Sequence, residues 1–282
     1  MIIMGTLASD DNMNRFVPRN DLHDPGDGEA VPPIVVHVPH SATVIPDEFA
    51  RDFVWTPAER TSEILQMTDL YMEELVADEM PALIFPVSRL VCDVERFRDD
   101  AQEIMAERGM GATYTHGSQR QLIRRLSPAK REKILRRFYD PHHERLSGMV
   151  AAALDRHDRC LIIDLHSFAS EALPYELNPT AERPDICLGT DALHTPEELA
   201  NRNAAFFTEK GYSVTFDQPF AGTIVPLRYY RQDHRVTSIM IEIKRGLYMD
   251  EADGTKSAGF AKIQSDLHAL QLMLRDVSPA DG

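Results

Sequence analysis

The chain has 282 residues, a formal net charge of −15, 43% hydrophobic residues and 27% charged ones. That is enough to bury a substantial core, and the acidic balance argues against a nucleic-acid or anionic-membrane surface, both of which need a basic face. Its three cysteines are widely spaced, which excludes a disulfide framework and a thiolate zinc site and fits a reducing cytoplasm, and no apolar run reaches the ~18 residues of a membrane span.

Met1-Ile2-Ile3-Met4 is too short for a secretory apolar segment. Residues 8–33 are rich in Asp, Asn, Gly and Pro, which predicts an irregular arm over 1–33 ahead of one domain over 34–276. Ile34–Val38 is a predicted strand. A helix is expected over 57–80, where Ile64, Met67, Leu70, Met72 and Leu75 follow a 3.6-residue period. Short strands are expected at 82–86 and 90–94, and a helix at 128–154 interrupted at Pro141. A strand then runs from Cys160 to an end at Asp164, and another covers 186–188. A helix over 195–210 has Thr195 as its N-cap and Pro196 in first position. Strands at 212–216 and 238–243 and an amphipathic helix over 258–274 complete the pattern. Strands alternating with helices, with no linker between them, predict a single α/β domain with a mixed, mostly parallel sheet flanked by helices.

Cys-Leu-Ile-Ile-Asp-Leu-His-Ser at 160–167 carries the most information. Side chains alternate along a strand, so Asp164 and His166 point to one side of it. Strand Ile34–Val38 leads into Pro39-His40-Ser41, a second His-Ser at a strand end. One histidine in such a place is usually a polar cap on the sheet, but two suggest a metal site assembled from distant parts of the chain. Imidazoles with a carboxylate suit zinc. Asp69, Asp164, Asp47 and Glu48 are the choices for the carboxylate, and Asp164 alternatively orients His166 from behind. Arg89, Asp93 and Arg96 crowd a short apolar segment, where an aspartate-held guanidinium is aimed for a substrate carboxylate or forms a structural ion pair. Glu242 stands in a strand dense with Ile and Met, where burial raises a carboxyl toward the range of a general base. Of His142 and His143, adjacent on a helix, at most one joins a given site, and Gly222 lets backbone N–H groups approach a ligand. GxGxxG, P-loop and GxSxG patterns are absent.

Taken in order, Pro39-His40-Ser41, Thr68-Asp69, Ser88-Arg89 with Asp93-Val94-Glu95-Arg96-Phe97, Tyr139-Asp140-Pro141-His142-His143, Asp164-Leu165-His166-Ser167-Phe168, Asp217–Gly222 and Ile241–Asp250 resemble the N-formylglutamate amidohydrolase family. That family is similar to the zinc carboxypeptidases and aspartoacylases, so the resemblance implies a phosphorylase/hydrolase-like α/β core. It implies zinc, or another divalent metal, on His40, Asp69 and His166. Glu242 would match the carboxylate that activates water, and Arg96 the group that binds a substrate carboxylate. Arg89, Arg245, His143 and Gly222 fall on the substrate side, with Asp93 and Asp164 supporting the ligands. The implied reaction is hydrolysis of a small N-acyl amino acid, N-formyl-L-glutamate first, to formate and L-glutamate in cytoplasmic histidine degradation. Two positions depart from the related patterns: Thr43 replaces the glutamate of His-x-x-Glu, and Glu95 replaces the usual asparagine before Arg96. The second keeps open a deacylase or carboxypeptidase-like hydrolase for another acyl amino acid or peptide. A non-catalytic metal or amino-acid binding protein on the same scaffold is the reading from a different class.

Overall fold

Side-chain alternation along three buried strands decides how the molecule is built. The computed structural model describes residues 32–179 and 182–276. Strands β1 (Ile34–Val38), β2 (Ala82–Ile84), β3 (Cys160–Phe168), β4 (Ile186–Gly189), β5 (Val214–Phe216) and β6 (Val236–Lys244) form one sheet in the order β2-β1-β3-β6-β4-β5. The strands β2, β1, β3 and β6 are mutually parallel, while β4 runs antiparallel to β6 and carries β5 parallel to itself. The helices are α1 (Asp47–Ala50), α2 (Pro57–Met67), α3 (Pro128–Ile134), α4 (Asp140–His157), α5 (Glu197–Glu209) and α6 (Phe260–Asp276).

One face of the sheet is apolar throughout. Ile34, Val36 and Val38 of β1, Ile163 and Leu165 of β3, and Ile239, Ile241 and Ile243 of β6 pack with Phe207 of α5 and with Ile263, Leu267, Leu270 and Leu274 of α6. The α6 spacing of three and four residues lays one stripe on the sheet. The opposite face is apolar at the start of its strands, where Val35, Cys160, Ile162 and Val236 pack in one cluster with Leu146, Val150, Ala153 and Leu154 of α4. Farther along that face stand His37, Asp164, His166 and Glu242, all buried. The pairings His37↔Asp164 and His166↔Glu242 bring them side by side at the carboxyl ends of parallel strands, where open α/β sheets form their crevice. A separate core of Phe49, Phe53, Leu90, Val91, Val94, Tyr114 and Phe138 lies beneath the loops at that end.

Several elements differ from the sequence reading, each for a definable reason. Helix α2 starts with a capping box between Thr56 and Glu59 and with Pro57 inside its first turn, but it stops at Met67. Thr68 is extended, and the Asp69 N–H donates to the His40 carbonyl at 3.0 Å, so Asp69 lies in a loop tied to the His40 loop. Of the later apolar residues of that period, Leu70 lies in a turn and Met72 and Leu75 belong to a 3₁₀ turn, Met72–Leu75. No strand covers 90–94. That segment is a run of turns, with the Val91 N–H on Ser88 O and the Asp93 N–H on Ala112 O, and its apolar residues enter the loop-side core instead of a sheet. Pro141 does not break the helix. It sits in the first turn of α4, directly after a π turn (Leu135–Tyr139) that accommodates its missing donor. Strand β3 does not end at Asp164 but continues to Phe168, because β6 pairs with it over its whole length. Thr195 does not cap α5; its hydroxyl donates to Ser238 O at 2.6 Å, and Pro196 takes the cap position. Of the N-terminal arm expected over 1–33, all but Pro32 and Pro33 lies outside the described residues. Among the described residues no helix is long and apolar enough to cross a membrane.

Gly189 at the end of β4 is required by close approach. A Cβ there would stand 2.2 Å from the Gly222 carbonyl oxygen and 2.4 Å from Met240 Cε, so a methyl group must push the 217–224 loop off the sheet. Gly189→Ala is expected to destabilise the protein by about 1–3 kcal/mol, read as a lower urea midpoint; an unchanged midpoint would show that the loop yields freely.

Candidate active site

Two imidazoles and a carboxylate converge at the carboxyl end of the sheet. His40 follows β1, His166 stands on β3, and Asp69 is brought in by its backbone bond to His40. Nδ1 of His40 lies 3.2 Å from Nδ1 of His166. Asp69 Oδ2 is 3.3 Å from His166 Nδ1 and 3.6 Å from His40 Nδ1. Ligands about 2.0–2.1 Å from a tetrahedral zinc stand about 3.3 Å apart, so the donor set and its spacing fit such an ion. The buried Asp69 Oδ2 has no hydrogen-bond partner, whereas Asp69 Oδ1 accepts from Arg245 Nη2 at 2.8 Å. Asp47 and Glu48, in α1, do not reach this cluster; Glu48 pairs with Lys133 at 2.6 Å and with Arg137.

The far nitrogen of each imidazole is held by its own aspartate. His40 Nε2 lies 2.8 Å from Asp93 Oδ1, and His166 Nε2 lies 3.0 Å from Asp164 Oδ1. A carboxylate behind each ring favours a proton on Nε2, so that in the neutral rings Nδ1 is the nitrogen that faces the cluster and can act as a ligand. Asp93 is itself fixed by Arg89 Nη2 at 2.9 Å and by the Tyr114 hydroxyl at 2.5 Å. Asp164 also accepts from the Ile224 N–H at 3.2 Å, which docks the 217–224 loop on the site. Against the opposing effect of burial, the charge and hydrogen bond of Asp164 and the nearby Asp69 carboxylate hold the His166 pKa well above the ordinary histidine value. Asp69 is likewise held low despite burial, by His166, His40 and Arg245. A positive charge is therefore strongly favoured at this point.

Glu242, on β6 beside His166, is 7% exposed and its Oε2 has no partner. Burial raises its pKa to about 7, with Asp69 adding to the rise and His166, Arg89 and Arg245 opposing it. A carboxyl that titrates near neutrality is suited to taking and returning a proton.

The remaining site residues separate by how fully they are engaged. Arg96 retains 23% side-chain exposure and a buried Nε without a partner, and Asp93 Oδ2 lies 3.8 Å from that nitrogen. Arg89 is committed to Asp93. Arg245 is spent on Asp69, on the Gln66 carbonyl at 2.6 Å and on the Ser167 hydroxyl at 3.1 Å. His143 Nε2 lies 2.9 Å from Val94 O, and the Tyr139 hydroxyl donates to Arg96 O at 2.8 Å; both fix the 93–96 turn from behind. Gly222 adopts φ 89 in the docked loop, and its N–H points to Asp217 Oδ1 at 3.4 Å.

Two neighbours, His37 and Tyr114, carried no role in the sequence reading. His37 lies within hydrogen-bond reach of Asp164 and, through its other nitrogen, of His142 at 2.8 Å. Its position in Ile-Val-Val-His-Val, with the parity of Val35, was signal enough to place it on the polar face of the sheet. Tyr114 comes from an irregular loop with no comparable local pattern.

The raised Glu242 pKa has a stability consequence in the metal-free protein. A carboxyl whose folded pKa lies above its unfolded value contributes stability at low pH that is lost as pH rises through the folded pKa. Between the ordinary 4.5 and about 7, wild type should lose up to about 3 kcal/mol relative to Glu242→Gln, at about 1.4 kcal/mol per pH unit. Urea denaturation of both proteins in chelator from pH 4.5 to 8 measures this, and a pH-independent difference would contradict it.

A family model described as N-formylglutamate amidohydrolase matches residues 32–249. No curated protein matches the chain. The crystal structure of an N-formylglutamate amidohydrolase from Ralstonia eutropha JMP134 is 27% identical, with a TM-score of 0.76 over 89% of this chain and 95% of that one. Gene product Atu2144 from Agrobacterium tumefaciens, 15% identical with a TM-score of 0.62 over 88% of this chain and 93% of that one, shares the fold. With the family model spanning every residue of the cluster built above, the chain belongs to the N-formylglutamate amidohydrolase family.

Proposed function

We propose that this amidohydrolase is zinc-dependent and hydrolyses N-formyl-L-glutamate to formate and L-glutamate, a step of cytoplasmic histidine breakdown. The observation that carries the reading is the convergence of His40 Nδ1, His166 Nδ1 and an unpartnered Asp69 oxygen beside a buried Glu242. Family membership and the 27% identical structure from Ralstonia eutropha support the substrate.

His40, Asp69 and His166 would hold zinc, which when bound would supply a Lewis acid able to polarise the formyl carbonyl and to lower the pKa of water toward about 7. The chain's own residues do the rest. Glu242 accepts a proton from the attacking water as its oxygen bonds to the formyl carbon. It then delivers that proton to the nitrogen as the C–N bond breaks, so that glutamate leaves with a free amine. Arg96, partly open and otherwise paired only through Asp93, holds a substrate carboxylate. Arg245 keeps Asp69 in place, and Arg89, Asp93 and Tyr114 keep His40 in place.

A formate-release assay across formyl, acetyl and succinyl amino acids tests this reading. The highest kcat/KM is expected for N-formyl-L-glutamate. Chelation should abolish turnover and zinc should restore it, while zinc-loaded Glu242→Gln should lose ~10²–10⁴ in kcat. Preference for another acyl group would replace the substrate, and full turnover by Glu242→Gln would remove the assigned base.

A further inference from the structure

Glu95 stands where the related pattern has asparagine, next to the arginine assigned to the substrate, yet its carboxylate faces the other way. Glu95 Oε1 is 3.1 Å from His37 Nδ1, and Oε2 is 4.0 Å from His166 Nε2. These are the two nitrogens that Asp164 Oδ1 engages, at 2.9 Å from His37 and 3.0 Å from His166. Glu95 and Asp164 thus flank the same pair of imidazole edges, one from the 93–96 turn and one from β3. The turn is set for this: the Glu95 N–H donates to Asp93 Oδ1 at 2.9 Å, and His143 and Tyr139 bind the carbonyls on either side of the residue.

His37, Glu95 and Asp164 have the donors of a second cation site, but the contacts favour a different arrangement. A hydrogen bond explains the His37–Asp164 distance, and His37 Nε2 is matched by His142 Nε2 at 2.8 Å. Against the lowering effect of burial, Asp164 and Glu95 raise the His37 pKa to about 9, and burial holds His142 well below the ordinary value. His37 is then the imidazolium, donating to Asp164 and to a neutral His142. Its charge offsets one of the two carboxylates, buried Asp164 and half-buried Glu95, without a metal. Asp164 is shared between two rings, and Glu95 is the additional negative charge that compensates for the sharing.

We infer that Glu95 is a positioning residue of the metal centre: it acts on the ligand His166 through His37 and Asp164, and it does not contact the substrate. This rests on the metal-site reading proposed above. Negative charge at the outer nitrogen of a ligating imidazole makes the inner nitrogen a better donor, and loss of such an outer partner typically lowers metal affinity 10–100-fold.

The test is a zinc titration of the full chain against a competing chromophoric chelator, for wild type and Glu95→Gln, with Glu95→Asp as a second variant that keeps the charge. Thermal unfolding of each metal-free protein controls for folding. Glu95→Gln should raise the zinc dissociation constant about tenfold or more. Glu95→Asp should recover part of that loss, and at saturating zinc the KM for N-formyl-L-glutamate should stay within about twofold. Unchanged zinc affinity in folded Glu95→Gln would overturn the inference. So would a tenfold rise in KM at saturating zinc, which would place Glu95 on the substrate. Wild type that takes up no zinc would overturn this inference together with the metal-site reading, whereas zinc binding without formate release would overturn the substrate alone.

Discussion

His166 and Glu242 are neighbours because β3 and β6 run parallel and pair without a slip from Cys160↔Val236 to Phe168↔Lys244. A one-residue shift would turn either strand over, sending its polar residues into the apolar face beneath α6 and its isoleucines to the other side. The eight aliphatic side chains that β1, β3 and β6 present to α5 and α6 resist that shift. The register of this core therefore places a candidate ligand, the aspartate behind it and the candidate base within one patch of sheet. The other two candidate ligands are tethered to that patch by loops, through the backbone bond from Asp69 to His40.

The patch concentrates buried charge to a degree that only mutual pairing makes tolerable. Asp69, Asp93 and Asp164 are nearly inaccessible, and each meets a cation or an imidazole: Arg245 on Asp69, Arg89 and His40 on Asp93, His37 and His166 on Asp164. Three carboxylate oxygens break this pattern of satisfaction: Asp69 Oδ2 and Glu242 Oε2, which belong to groups given a chemical task, and Glu95 Oε1, which faces His37 Nδ1 at 3.1 Å as an ion pair without a hydrogen bond. The pairings also sort the arginines. Arg89 and Arg245 support carboxylates, while Arg96, anchored through its carbonyl by Tyr139, keeps the freer guanidinium.

The strands that build the site were readable from their apolar runs, and period-two alternation correctly put Asp164 and His166 on one side. The helices flanking them were readable by periodicity, with ends misjudged wherever a distant contact decides the end. Helix α2 stops at Met67 because Asp69 bonds to the His40 loop, and Thr195 turns to Ser238 on a distant strand instead of capping α5. The 90–94 segment has the composition of a strand because it is buried, but what buries it is a core formed by loops. The antiparallel placement of β4 and the roles of Tyr114 and His37 depend on long-range proximity that a local pattern does not encode. Glu95 was visible as an unusual residue, but its direction came only with the fold.

The central claim is that His40, Asp69 and His166 hold one metal ion. Anomalous scattering at the zinc edge, from crystals of the zinc-loaded protein, tests it most directly. The account predicts one peak about 2.0–2.1 Å from Nδ1 of both His40 and His166 and in contact with Asp69 Oδ2. No peak at saturating zinc, or a peak among other residues with this cluster unchanged, would contradict it.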